Sequence, residues 1–211
     1  AEVALALYSD TRDADYLERA TGWIQQARRL APEDPAVIQL DLRAALARGE
    51  PEAAVAALAV LERVAPSSIA VLEARFRLAK QAGDLAAAEA VMERLVERRP
   101  AWGNLYKLAD LKVRRGDVAG ARRQLEELVR RAPNNTWGLG KLAQLELLYG
   151  DLEKAEQLAL RAIEIRPHRS YFTNLGLARF FLGDYAGART SYLEALAIDP
   201  EYAEAWVELG T

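Results

Sequence analysis

Cysteine is absent from the 211 residues, and there is one histidine, His168, and one methionine. Without cysteine there is no disulfide, no thiolate metal site and no cysteine nucleophile. One imidazole cannot build a multi-histidine zinc site or an iron facial triad. The missing cysteines leave the compartment open, because cytoplasmic and exported proteins alike can lack them. Long apolar runs are missing too: the longest, Ala53 to Leu61, falls far short of the ~18 residues a membrane helix needs. Neither sign of charge dominates. The chain carries 28 Lys+Arg against 31 Asp+Glu, a net charge of -3, which argues against nucleic-acid binding by the chain as a whole. The first residue is not methionine and no charged-then-apolar leader follows it, so the chain is expected to be a fragment of something longer.

What is present is a packed-core composition, 51% apolar and 28% charged, arranged in a repeat. Pro32, Pro66, Pro100, Pro133, Pro167 and Pro200 are spaced 34, 34, 33, 34 and 33 residues apart. Gly49-Glu50, Gly83-Asp84, Gly116-Asp117, Gly150-Asp151 and Gly183-Asp184 run in step with them. A third series, Ala54, Ala88, Ala121, Ala155 and Ala188, lies five residues after each glycine. Each series has a mechanical reason. Glycine ends a helix in the left-handed conformation. The acidic residue suits the positive end of the next helix. Alanine lets two helices approach, and proline stops the second one. Each period therefore predicts helix, tight turn, helix, stop. Helical spacing agrees: Tyr185, Ala188, Tyr192 and Ala195 form one stripe, and no segment alternates as a strand would.

This pattern resembles the tetratricopeptide repeat (TPR) family. With Arg169 as position 1, Phe172, Leu175, Gly176, Ala188, Tyr192, Ala195 and Pro200 match the family's consensus, and Trp206 to Gly210 resembles the WxxLG start of a seventh repeat. The resemblance implies an all-α fold: a right-handed α-solenoid, or superhelix, of antiparallel helix-turn-helix units. It implies one domain, 1–211, with repeats at 1–34, 35–68, 69–101, 102–135, 136–168 and 169–202 and a partial repeat at 203–211. Departures from the pattern predict looser or shifted packing. Tyr8 stands where a small residue is expected, Asp15 where the turn glycine should be, and Asp41 and Arg75 where leucine is usual. Trp206 is expected in the core. Trp23 and Trp102 are read as packing residues, and Trp137 as the tryptophan lining a groove.

No catalytic constellation emerges, so no catalytic residue, metal ligand or cofactor is expected. Gly138-Leu139-Gly140-Lys141 fails as a phosphate loop, since Asn135 and Leu142 stand where Gly and Ser or Thr are needed. His168 has no cysteine or obvious serine partner. Asn134-Asn135-Thr136 fits a glycosylation sequon by pattern alone. Glu126-Glu127 and Arg130-Arg131 read as a solvated, salt-bridged helix face.

The resemblance places the binding site on the first helices of the repeats. Carried over residue by residue, the groove comprises Arg43, Arg77, Lys80, Tyr106, Lys107, Asp110, Arg114, Trp137, Lys141, Gln144, Thr173 and Asn174, with Gln39, Glu73, Gln81 and Ser170 beside them. The set is biased toward cations in an acidic chain and includes two aromatic side chains. That suits a partner segment carrying acidic groups, although inner-face cations also serve simply to keep a groove hydrated. The carboxylate clamp of chaperone-binding TPR domains is not met, because its asparagine position is never asparagine here. The leading reading is a non-catalytic scaffold binding a protein or peptide partner, with no small-molecule substrate, nucleic acid or membrane insertion. One alternative is the regulatory TPR region of a multidomain bacterial signalling protein such as a serine/threonine kinase. Another is an envelope or exopolysaccharide assembly scaffold. A cytoplasmic location is expected, with the periplasm as the alternative, and the incomplete last repeat offers a route to self-association.

Overall fold

The structure, a computed structural model, describes residues 1–210. Thr211, the last residue of the expected partial repeat, lies outside them. Thirteen α-helices and no strand occur among the described residues: α1 (Glu2–Thr11), α2 (Ala14–Leu30), α3 (Pro35–Arg48), α4 (Pro51–Val64), α5 (Ile69–Gln81), α6 (Leu85–Arg98), α7 (Trp102–Arg114), α8 (Val118–Arg131), α9 (Thr136–Tyr149), α10 (Leu152–Ile165), α11 (Arg169–Phe181), α12 (Tyr185–Ile198) and α13 (Ala203–Leu209). They form two compact units, one of residues 1–100 and one starting at Ala101. Within each unit helices pair as hairpins, and first helices touch along the stack: α1 on α3 and α3 on α5 in the first unit, α9 on α11 and α11 on α13 in the second.

The three residue series do what their chemistry predicts. Every proline of the series lies two residues past the end of a second helix. Ala54, Ala88, Ala121, Ala155 and Ala188 are all buried. Asp84, Asp117, Asp151 and Asp184 each accept a backbone N–H in the first turn of the following helix. Glu50 does not cap α4. It pairs with Arg48 at 2.7 Å, which holds its carboxyl below the usual range. Gly49, Gly83, Gly116 and Gly183 have φ between 72° and 87°. Gly150 is different: its φ is -145°, and a Cβ there would stand 1.7 Å from Glu146 Oε2. Glycine is required at that turn for space, because a buried carboxylate occupies it.

The departures are accommodated in particular ways. The first turn does not fall at Asp15. Arg12 takes the left-handed conformation at φ 59°, Asp13 caps the next helix through the backbone N–H of Asp15, and α2 runs to 17 residues where the other second helices have 14. Tyr8 donates its hydroxyl to the Ala47 carbonyl at 3.3 Å. Asp41 and Arg75 each meet an opposite charge 13 residues earlier, Arg28 at 3.0 Å and Glu62 at 2.7 Å. In the second unit the equivalent positions are the buried Leu108, Leu142 and Leu175. Ion pairs thus replace leucine at two junctions, and at this exposure each contributes at most about 1 kcal/mol.

Tyr192 on α12 carries the only buried side-chain polar atom without a hydrogen-bond partner among the described residues. Its phenol is pushed up to about 12 by burial and by the nearby Glu208. A lone buried hydroxyl costs free energy that its aromatic ring does not return. Tyr192→Phe is therefore expected to raise stability by about 1 kcal/mol, read by urea unfolding. A loss of stability would show that the hydroxyl has a partner after all.

Candidate functional site

The predicted groove residues fall in both units. In the first, Gln39 on α3 donates to Glu73 on α5 at 3.1 Å, tying two first helices together. Arg43 reaches Glu2 at 3.5 Å. Arg77 makes no hydrogen bond or ion pair among the described residues. Burial and the facing Arg43 lower its pKa, while Glu73 opposes them. Lys80 is exposed at the end of α5. The basic bias read from sequence is thus partly neutralised here by Glu2 and Glu73.

The second unit gathers more. Tyr106 of α7, Trp137, Gly140, Lys141 and Gln144 of α9, Ser170, Tyr171 and Asn174 of α11, and Tyr202 and Glu204 at the start of α13 line one open hollow of about 170 Å³. Six of the predicted residues meet there: Tyr106, Trp137, Lys141, Gln144, Ser170 and Asn174. Trp137 is half-exposed. Lys141 Nζ donates to Gln144 Oε1 at 3.0 Å, which leaves two ammonium protons for a ligand. Asn174 Nδ2 donates to the Gly140 carbonyl at 3.1 Å, so the amide is fixed across two helices. Tyr106 has a raised pKa from burial first, then from Asp110 and Tyr171. Asp110 itself is engaged by Arg114 at 2.9 Å. Lys107 is exposed but partnered.

Thr173 does not join this set. It is 1% exposed, and its hydroxyl donates to the Arg169 carbonyl at 3.2 Å. Trp206 also departs from expectation, since it is half-exposed and donates its indole N–H to the Pro200 carbonyl at 2.8 Å. Trp23 and Trp102 are half-exposed as well. His168 is a helix cap: its Nδ1 accepts the Ser170 N–H at 3.3 Å, and burial, Arg169 and Arg166 lower its pKa. Its ring lies 5.3 Å from that of Tyr171 and 6.4 Å from that of Trp137.

Tyr171, Tyr202 and Glu204 were not read from the sequence. Tyr171 is buried against Gly140, where a Cβ would come within 2.5 Å of its ring. The glycine at a groove position was the available signal that a large side chain fills the gap. Tyr202 donates to Glu204, and the Arg169 guanidinium, itself paired with Asp199, lies 4.8 Å from the Tyr202 ring centroid. Tyr202 ends the sixth repeat as the N-cap of α13, and Glu204 lies in the first turn of that helix.

Helical hairpins that stack in register and present side chains from successive first helices define a helical-repeat interaction scaffold. The sequence matches two family models, one described as tetratricopeptide repeat over residues 106–170 and one described as TPR repeat over 171–211. The chain belongs to the tetratricopeptide repeat family. Solved structures share the fold at low sequence identity. YrrB, described as a TPR protein with an unusual peptide-binding site, is 17% identical with a TM-score of 0.73, covering 89% of this chain and 98% of that one. A tetratricopeptide repeat protein from Parabacteroides merdae is 13% identical with a TM-score of 0.74, covering 83% and 70%. MamA from Desulfovibrio magneticus RS-1 is 19% identical with a TM-score of 0.69, covering 80% and 96%. No curated protein matches the sequence. No described helix is long and apolar enough to cross a membrane.

Proposed function

We propose that this scaffold holds an extended segment of a partner protein on the first-helix face of its second unit. An apolar side chain of the segment packs on Trp137 and an acidic one meets Lys141. The observation that supports this is the shared hollow, where half-exposed Trp137, Lys141 and the anchored amide of Asn174 come from adjacent first helices. Aromatic side chains supply large contact area at little entropic cost. The Asn174 amide, already fixed by Gly140, offers its oxygen to a backbone N–H. The repeat register runs unbroken through Pro100 and supports reading residues 1–211 as one repeat array. The peptide-binding description of YrrB is in keeping with the reading.

Selection of peptides from a random display library on the intact chain tests it. Selected sequences should pair an acidic residue with an aromatic or branched apolar one. Their affinity should fall about 30-fold in Trp137→Ala, the 2 kcal/mol of a central anchor, and at least tenfold in Lys141→Glu, which reverses the charge. Selected peptides that bind both variants as tightly as the parent would move the site off this face.

A further inference from the structure

A second hollow, of about 150 Å³, lies in the first unit between the second helices α4 and α6. Glu62 of α4, Pro66, Val71, Leu72 and Arg75 of α5, and Arg94 and Arg98 of α6 line it. None of the first-helix groove residues contributes. Three guanidinium groups therefore share one small cavity with a single carboxylate.

The engagement of these groups is unequal. Arg75 gives its Nε to Glu62 at 2.7 Å and keeps its other donors. Arg98 gives one Nη1–H to the Ser67 carbonyl at 2.8 Å. Arg94 makes no hydrogen bond or ion pair among the described residues. A guanidinium carries five N–H donors, so most of the donor capacity around the cavity is unspent. The lining carries a net charge of +2.

The repeat supplies its own control. Positions equivalent to Arg94 and Arg98 are Glu127 and Arg131 on α8, Arg161 and Ile165 on α10, and Glu194 and Ile198 on α12. Where two charges recur they neutralise each other: Arg131 pairs with Glu127. Leucine stands at the later equivalents of Arg75, namely Leu108, Leu142 and Leu175. The three-arginine set is therefore not a by-product of the repeat.

We propose that this cavity is an oxyanion site for a phosphate group, as presented by a phosphorylated side chain or by free phosphate. A phosphate monoester carries about -1.5 to -2 charge near neutral pH, matching the net charge of the lining, and its three terminal oxygens suit convergent guanidinium forks. A carboxylate brings one charge and two oxygens, which leaves one arginine unmatched. Arginine also gives up its hydration more readily than lysine, which favours a partly enclosed site.

The test is a titration of the intact chain, followed through the arginine Nε–Hε NMR signals, at constant ionic strength near neutral pH. Three probes are compared: inorganic phosphate, a capped phosphoserine tripeptide, and acetate. Saturable shifts at Arg94 and Arg98 are expected with both phosphates, with acetate at least tenfold weaker. Tighter binding of the phosphopeptide assigns the site to a phosphorylated protein, and equal binding assigns it to the free ion. The double variant Arg94→Gln/Arg98→Gln should weaken phosphate at least tenfold. Glu62→Gln removes the competing carboxylate and should tighten binding about threefold or more. Acetate binding as strong as phosphate, non-saturating shifts, or unchanged affinity in either variant overturns the proposal.

Discussion

Arg122→Ala is expected to destabilise the second unit by about 3 kcal/mol, because it strips the main partner from a carboxylate that has no route to water. Glu146 on α9 is 2% exposed. Arg122 on α8 holds it with two bonds of 3.1 Å and also donates to the Tyr149 carbonyl at 3.1 Å. Lys154 on α10 reaches the same carboxylate at 2.9 Å and Glu126 at 2.9 Å. Three helices thus meet on one buried charge. Breaking such a pair from one side generally costs about 3–5 kcal/mol, and the surviving Lys154 contact puts the expected loss at the lower end. The double variant Arg122→Ala/Glu146→Leu should be more stable than Arg122→Ala alone, since the stranded charge is gone and Lys154 keeps Glu126. Urea unfolding followed by circular dichroism decides. A double variant no more stable than the single one would mean that the cost lies in lost packing of the arginine stem, not in the uncompensated carboxylate.

The same cluster explains which parts of the fold were legible. Glycine C-caps, acidic N-caps and proline stops act within a few residues, so their spacing predicts every later hairpin turn. Gly150 obeys the spacing for another reason, the space taken by Glu146, and sequence alone does not separate the two. The first turn lacks glycine, and Arg12 adopts the strained conformation in its place. There the informative signal was the capping Asp13. Charges at a leucine position look like defects in a one-dimensional reading. In three dimensions Arg28–Asp41 and Glu62–Arg75 are complementary pairs at an identical separation of 13. The site divides in the same manner. Trp137, Lys141 and Asn174 are placed by helix register, and they line one hollow. Thr173 shares that register but lies beneath neighbouring side chains, and register says nothing about what covers a position. Tyr202 and Glu204 enter from the N-terminal end of α13, at the boundary between two repeats.

Gly140→Val should cost about 3 kcal/mol and also weaken any ligand held at the hollow. Glycine inside a helix is ordinarily a weakness, and replacing it with alanine gains about 1 kcal/mol of helix propensity. Here a Cβ would stand 2.5 Å from Cε1 and 2.8 Å from Cδ1 of Tyr171. The ring is buried and packs with Leu139 and Ala162, so it has little room to retreat. Overpacking of this kind costs about 1–3 kcal/mol. For alanine the opposing effects leave a net loss of about 1 kcal/mol. Valine adds two methyl groups and a stiff χ1 with a poorer helix propensity, so every contribution has the same sign. Tyr171 also lines the hollow, so a displaced ring changes the surface a ligand meets. A stability loss in Gly140→Val, with the selected peptides bound more weakly to Gly140→Ala than to the parent, is the expected pair of results. Gly140→Ala more stable than the parent would show that Tyr171 moves aside freely, and the glycine would then be an accident of sequence with no part in shaping the site.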